Sequence, residues 1–180
     1  MKEARFPSGK RPSNLLDANG LWDYALKILG IRALSAGELR TKLSRKAAQA
    51  ADIDGIMARL REYRFIDDGK FAESFAESRR DSQGFGKFRV MRDLQQRKVG
   101  RTEAEKAVAH AFDGTDETKL IEQFLERKFR KVNLSEYLKE EKHLASAYRR
   151  LRYAGFSASA SAKVLKRYSE RADELQDESE

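Results

Sequence analysis

Residues Arg79–Gly100 read RRDSQGFGKFRVMRDLQQRKVG. A cationic helix end passes through a glycine- and phenylalanine-containing turn into a second helix. On that helix Val90, Met91 and Leu94 cluster on one side, while Arg89, Arg92 and Gln96 point the opposite way at i, i+3 and i+7. Arg97 and Lys98 carry the charge to its end. The intervening Gly84-Phe85-Gly86-Lys87 resembles a phosphate loop only superficially: it lacks the G-x-x-x-x-G-K-S/T spacing and a preceding strand. It is expected to be a tight interhelical turn, with its glycines free for positive φ and Phe85 packed beneath.

Outward from this stretch, apolar residues recur at three and four, with no sustained alternation of strand type. Before it, Leu15 to Leu29 predicts a first helix, interrupted near Gly20 and ending around Gly30. Ser35 to Glu38 has capping-box spacing, with Leu34 and Leu39 as a hydrophobic staple. A helix is predicted from about Asp52 to Tyr63. Another opens at Asp67, with Ile66 and Phe71 at staple positions, and closes at Arg79 and Arg80. Asp67 and Asp68 are adjacent acids at a helix start, which reads as capping and not as a catalytic pair. After it, helices are predicted over Phe88 to Arg97, Thr102 to Phe112 (opened by a TEAE capping box), Glu117 to Arg130, Leu138 (or a turn earlier) to Tyr153, and Ser157 to Tyr168. The expected total is nine.

Three segments share one apolar skeleton. Taking Leu43, Leu94 and Leu151 as anchors, four residues earlier lie Leu39, Val90 and Ala147, and five later lie Ala48, Val99 and Phe156. Thirteen, fourteen and seventeen later lie Ile56, Ala107 and Val164, then Met57, Val108 and Leu165, then Leu60, Ala111 and Tyr168. The fold class expected is all-α: three tandem three-helix repeats forming an elongated curved helical stack, with repeats over 14–66, 67–113 and 114–168. Stacked units bury only neighbour contacts and leave much charged surface. That suits 180 residues with 40% hydrophobic, 37% charged and 9% aromatic content.

The net charge of +8 is unevenly laid out. Residues 1–13 hold both prolines and carry about +3, reading as a disordered basic arm; residues 169–180 carry about −5, reading as an acidic tail. The body between is about +10, which favours a polyanionic partner, either nucleic acid or an acidic protein surface. Cysteine is absent and His110 and His143 are far apart, so neither a thiolate nor a histidine-rich metal site is expected. No cofactor is expected either. With no apolar run of membrane-spanning length and no signal-peptide core, the expected compartment is the cytoplasm. No nucleophile, base and acid arrangement presents itself, and an enzyme is not expected.

The candidate binding residues are Lys42 and Arg45 in the first segment; Arg79 and Arg80 at the end of the helix before the turn, then Lys87, Arg89, Arg92, Arg97 and Lys98, in the second; and Arg149, Arg150 and Arg152 in the third. Arginines opposite an apolar stripe are ordinarily a solvated face. Here the same helix of successive repeats is basic, and the acids sit largely elsewhere. Such a track can follow a phosphate backbone by counterion release, without reading sequence.

The chain resembles the RecX regulators of the RecA recombinase. The resemblance rests on ALKILGIRALSAGELRTKL, LREYRFIDDGKFAESFAESRR and above all GFGKFRVMRDLQQRKVG, with a weaker match at YRRLRYAGFS. It implies a curved all-helical protein, acting in DNA repair, homologous recombination and the SOS response. The implied partners are the RecA filament and single- and double-stranded DNA, bound weakly and without sequence specificity. It implies no membrane partner, and a monomer is expected. The implied activity is regulation, chiefly inhibition, of RecA and its coupled ATPase. Family members carry glycine where this chain has Ala47, Arg64 and Lys98, so these helix ends are expected to close differently or slightly later. The alternative is a stand-alone DNA-binding protein built from helix-turn-helix-like units. Against it, the last helices of the units begin with acids or small residues, which offer little for reading bases.

Overall fold

The computed structural model describes residues 15–169. The expected basic arm and the acidic segment after Ser169 lie outside the described residues. Among the described residues there are ten helices and no strand: α1 (Ala18–Ile31), α2 (Ala36–Ser44), α3 (Asp52–Glu62), α4 (Asp68–Asp81), α5 (Lys87–Gln96), α6 (Arg101–Ala111), α7 (Glu117–Lys128), α8 (Leu134–Tyr137), α9 (Glu141–Ala154) and α10 (Ala158–Leu165). None of them is long and apolar enough to cross a membrane. The helix expected from Leu138 or a turn earlier is divided: α9 starts only at Glu141, and the turn before Leu138 is a separate helix, α8, that Asn133 opens by accepting from Ser135 N at 3.1 Å.

The helices form two compact units that divide after Asp67. In the first, α1–α3 enclose Leu21, Ala25, Leu39, Leu43, Met57 and Leu60, all fully buried. α1 runs unbroken through Gly20, because Asp17 caps it by accepting from Gly20 N at 2.8 Å. The Ser35–Glu38 capping box forms, with Glu38 N donating to Ser35 Oγ at 3.0 Å and Ser35 N to Glu38 Oε2 at 3.3 Å. Ile66 is buried in this unit's core, and Phe71 packs with Phe75 in the second unit.

The second unit holds two clusters, one on α4–α6 and one on α7–α10, joined by Phe85 and Leu120, which pack against both. Between α7 and α10 a polar contact adds to the shared apolar cluster. Glu117 accepts from Ser157 N and from Ser157 Oγ, each at 2.7 Å, while Ser157 caps α10. The apolar skeleton read from the sequence is buried nearly throughout; Ala48 is exposed and Tyr168 half-buried.

Three helix ends close alike. Phe65 N bonds Leu60 O, Val99 N bonds Leu94 O and Phe156 N bonds Leu151 O, each with a second bond one residue inside. The turning residues are Arg64 and Lys98, both at φ 57°, and Gly155 at φ 91°. Two non-glycine residues therefore adopt the left-handed conformation that glycine would take without strain. Ala47 follows the expectation of a different closure, because Leu16 pairs with the α2 end through Leu16 N to Lys46 O at 2.7 Å and Ala48 N to Leu16 O at 2.8 Å. The TEAE capping box does not form: α5 closes at Lys98, leaving only Val99 and Gly100 before α6 starts at Arg101, so Thr102 falls inside the first turn. A Cβ on Gly100 would meet Glu103 Oε2 at 2.5 Å, so the missing side chain leaves room for that carboxylate at the helix start.

Candidate nucleic-acid interface

The turn before α5 is sealed by protein. Gly84 has the expected positive φ of 63°, and the Arg127 guanidinium fills the place where its Cβ would be. Gly86 has an ordinary φ of −80°, a correction to the expectation for both glycines; its use is close approach. A Cβ there would lie 2.2 Å from Gly155 O, and a Cβ on Gly155 would lie 2.2 Å from Arg89 N. Across this contact Gly86 N donates to Ala154 O at 2.9 Å and Phe88 N to Gly155 O at 3.2 Å. The C-terminal end of α9 thus docks on the N-terminal end of α5, joining partial charges of opposite sign and satisfying groups that each helix leaves orphaned. The amides that a phosphate loop would present are occupied by carbonyls.

The candidate cations separate by what holds them. Arg80 donates to Ala111 O at the end of α6 and to both oxygens of Asp81. Those hydrogen bonds, foremost, hold the Asp81 carboxyl below the ordinary carboxylate range, and the Arg80 guanidinium is correspondingly raised. The contribution of this pair is present above the ordinary carboxylate range and is lost as pH falls through the lowered value of Asp81. Arg152 donates to Phe156 O at 2.6 Å, across the turn after α9. These two are clamps on helix ends.

Asp93, on α5, is the feature the sequence reading passed over. It is 7% exposed, bonded to Arg89 Nε at 2.9 Å and paired with Arg79 Nε at 3.7 Å. Arg89 is not an outward-facing charge: it lies on Asp93 and over the rings of Phe85 and Tyr153 at 5.0 and 4.9 Å. Arg79 lies over Phe75, and Arg97 over Phe71 and Phe75 at 5.1 and 5.5 Å. Arg92 is exposed; it reaches Tyr153 O at 3.3 Å and stacks near that ring at 5.6 Å. The spacing i, i+4 between Arg89 and Asp93 was the available signal, since that separation pairs opposite charges on one helix face.

Lys87, Lys98, Arg149 and Arg150 are exposed, with Lys87 Nζ 6.0 Å from the Phe112 ring and Arg150 5.7 Å from that of Phe129. Lys42 is half-buried in the last turn of α2 and Arg45 exposed at its C-cap; both belong to the first unit.

In the second unit a groove of about 520 Å³ opens between α7, α9 and the start of α5. Phe85, Phe124, Tyr153 and Ala154 give it an apolar lining, and Arg89, Lys128, Arg149 and Arg150 its charge; no carboxylate lines it. Lys128, Arg149 and Arg150 form no ion pair among the described residues. Lys128 was not a sequence candidate, because a lysine on α7 carries no periodic mark of facing α9. The groove's lining thus combines apolar surface with unbalanced positive charge.

Two family profiles match the chain: "RecX, second three-helix domain" over residues 67–108 and "RecX, first three-helix domain" over residues 22–60. Among named relatives, a regulatory protein RecX of Chlorobium phaeobacteroides is 36% identical over 86 residues, covering 48% of this chain and 57% of the relative. One of Salmonella paratyphi A is 32% identical over 112 residues, covering 57% and 64%. The chain thus spans less than two thirds of the length of these relatives. The crystal structure of RecX from Lactobacillus salivarius superposes with a TM-score of 0.63 at 16% identity, covering 84% of this chain and 96% of the other, which is similarity of fold.

Proposed function

The chain belongs to the RecX family, and from that premise we propose that it regulates the RecA recombinase, acting as a cytoplasmic, monomeric, non-enzymatic inhibitor of strand exchange and of the coupled ATPase. It binds along the RecA–DNA filament, and the repeats over 14–66, 67–113 and 114–168 are its successive contact modules. The observation that carries this reading is the set of exposed cations without carboxylate partners, Arg149 and Arg150 on α9 with Lys128 on α7, next to Arg92 on α5. Phosphates or an acidic subunit surface neutralise such groups with release of counterions. Arg79, Arg80, Arg89, Arg97 and Arg152 hold the scaffold that presents them. Occupying the filament groove excludes a second duplex and hinders the movements coupled to ATP turnover.

The test is RecA strand exchange and DNA-dependent ATP hydrolysis with the purified protein in stoichiometric excess. Wild type is expected to suppress both, and the double substitution Arg149→Glu with Arg150→Glu to lose most of that suppression while keeping its helicity. No effect of wild type on either reaction would refute the proposal. The helix-turn-helix alternative gains nothing from α3, whose first turn carries Asp52 and Asp54, charges that repel the phosphates flanking a DNA groove.

A further inference from the structure

We infer that the groove between α7 and α9 is a subsite for one unpaired nucleotide, its base stacked on Tyr153 and its flanking phosphates held by Lys128, Arg149 and Arg150. This rests on the polyanion-binding reading above and names the part of the polyanion that is recognised.

Three observations carry it. Tyr153 is 69% exposed yet held in place by two guanidiniums, Arg89 4.9 Å and Arg92 5.6 Å from its ring, which also donate to its carbonyl oxygen at 3.5 and 3.3 Å. A large aromatic ring presented to solvent on a fixed mount is a platform, and a base pays little entropy to stack on it. The rest of the lining is apolar at Phe85 and Phe124, and the charges around it are all positive. A nucleotide joins a π face and an anionic phosphate in one rigid unit, whereas an acidic peptide side chain supplies the charge without the ring face. Finally, at about 520 Å³ the groove matches a single small ligand and not a helix laid along it. In a duplex the base faces are already stacked on neighbouring pairs, so the occupant is an unpaired strand. Every base has such a face, so the subsite is indifferent to sequence.

The test compares oligothymidylate with an abasic oligomer of the same length, and so of the same phosphate charge, by fluorescence anisotropy. Wild type is expected to bind the thymidine oligomer about tenfold more tightly than the abasic one. Tyr153→Ala, at an exposed position that leaves the fold intact, is expected to abolish that preference and keep the abasic affinity. Arg149→Gln is expected to weaken both oligomers equally and to make the salt dependence shallower by about 0.7 in slope. Equal binding of the two oligomers by wild type overturns the subsite, as does a preference that survives Tyr153→Ala. Polyglutamate displacing the oligomer as effectively as unlabelled oligothymidylate also overturns it, in favour of an acidic protein partner. The two proposals fail separately. Equal binding of the two oligomers by a wild-type protein that still inhibits RecA removes only the subsite, whereas a wild-type base preference without any effect on RecA leaves the subsite and removes the regulator reading.

Discussion

α5 and α9 hold the same place in their helix triads, with Leu94 and Leu151 fully buried at matching positions, and both are rich in arginine. Their charges nevertheless do different work. On α5 the buried Asp93 gathers Arg89 and draws in Arg79 from α4, so much of the apparent positive face is an internal ion-pair network. On α9 no acid stands four residues from Arg149 or Arg150, and both remain exposed. A basic helix in a sequence is therefore not the same thing as a basic surface. One acid on the wrong side of the apolar stripe converts binding charge into scaffold.

The contact that joins these two helices is where the comparison breaks most easily. Gly155→Ala places a side chain at φ 91° and against the Arg89 backbone, and is expected to cost about 3 kcal/mol or more, read as a lower urea midpoint of the second unit. An unchanged midpoint would mean that α9 does not dock on α5 through this contact.

Asp93→Asn sharpens the contrast between the helices. It leaves two guanidiniums, each under one third exposed, without their shared charge, and should cost about 2 kcal/mol. The same change should make α5 behave like α9, with tighter oligonucleotide binding and a salt dependence steeper by about 0.7 for each arginine released. A loss of stability with no change in salt slope would show that Arg79 and Arg89 stay out of reach even when unpaired.

The smallest expected effect concerns the way the two helices end. α9 closes on Gly155 and α5 on Lys98, both left-handed. Lys98→Gly should therefore stabilise the protein by roughly 0.5–1 kcal/mol, and Arg64→Gly should do the same at the end of α3. Thermal unfolding of the two variants measures this directly; a fall in melting temperature would mean that the lysine and arginine side chains contribute more than the backbone strain costs.

Most of the helices were legible because each carries its own marks: a capping box such as Ser35 with Glu38, and a buried stripe at three and four. The expectation failed where a neighbour in space decided the outcome. Thr102 lost its cap role because α5 closes one residue before Val99, and α8 is a single turn, too short for a periodic signal. The candidate site divided in the same way. That arginines would be abundant at the end of α4 and on α5 and α9 was evident, but the pairing of Arg79 and Arg89 with Asp93 and the use of Arg80 and Arg152 as clamps at Ala111 and Phe156 were not.

By itself the sequence determined the all-helical class, the recurring helix skeleton and the excess of positive charge, because caps, periodicity and composition are local properties of the chain. Only the tertiary structure decided which of those charges are available. Burial of Asp93, the backbone contact between Gly86 and Gly155, and the meeting of Lys128 with Arg149 and Arg150 around Phe124 and Tyr153 depend on distances between residues far apart in the chain, which periodicity does not encode.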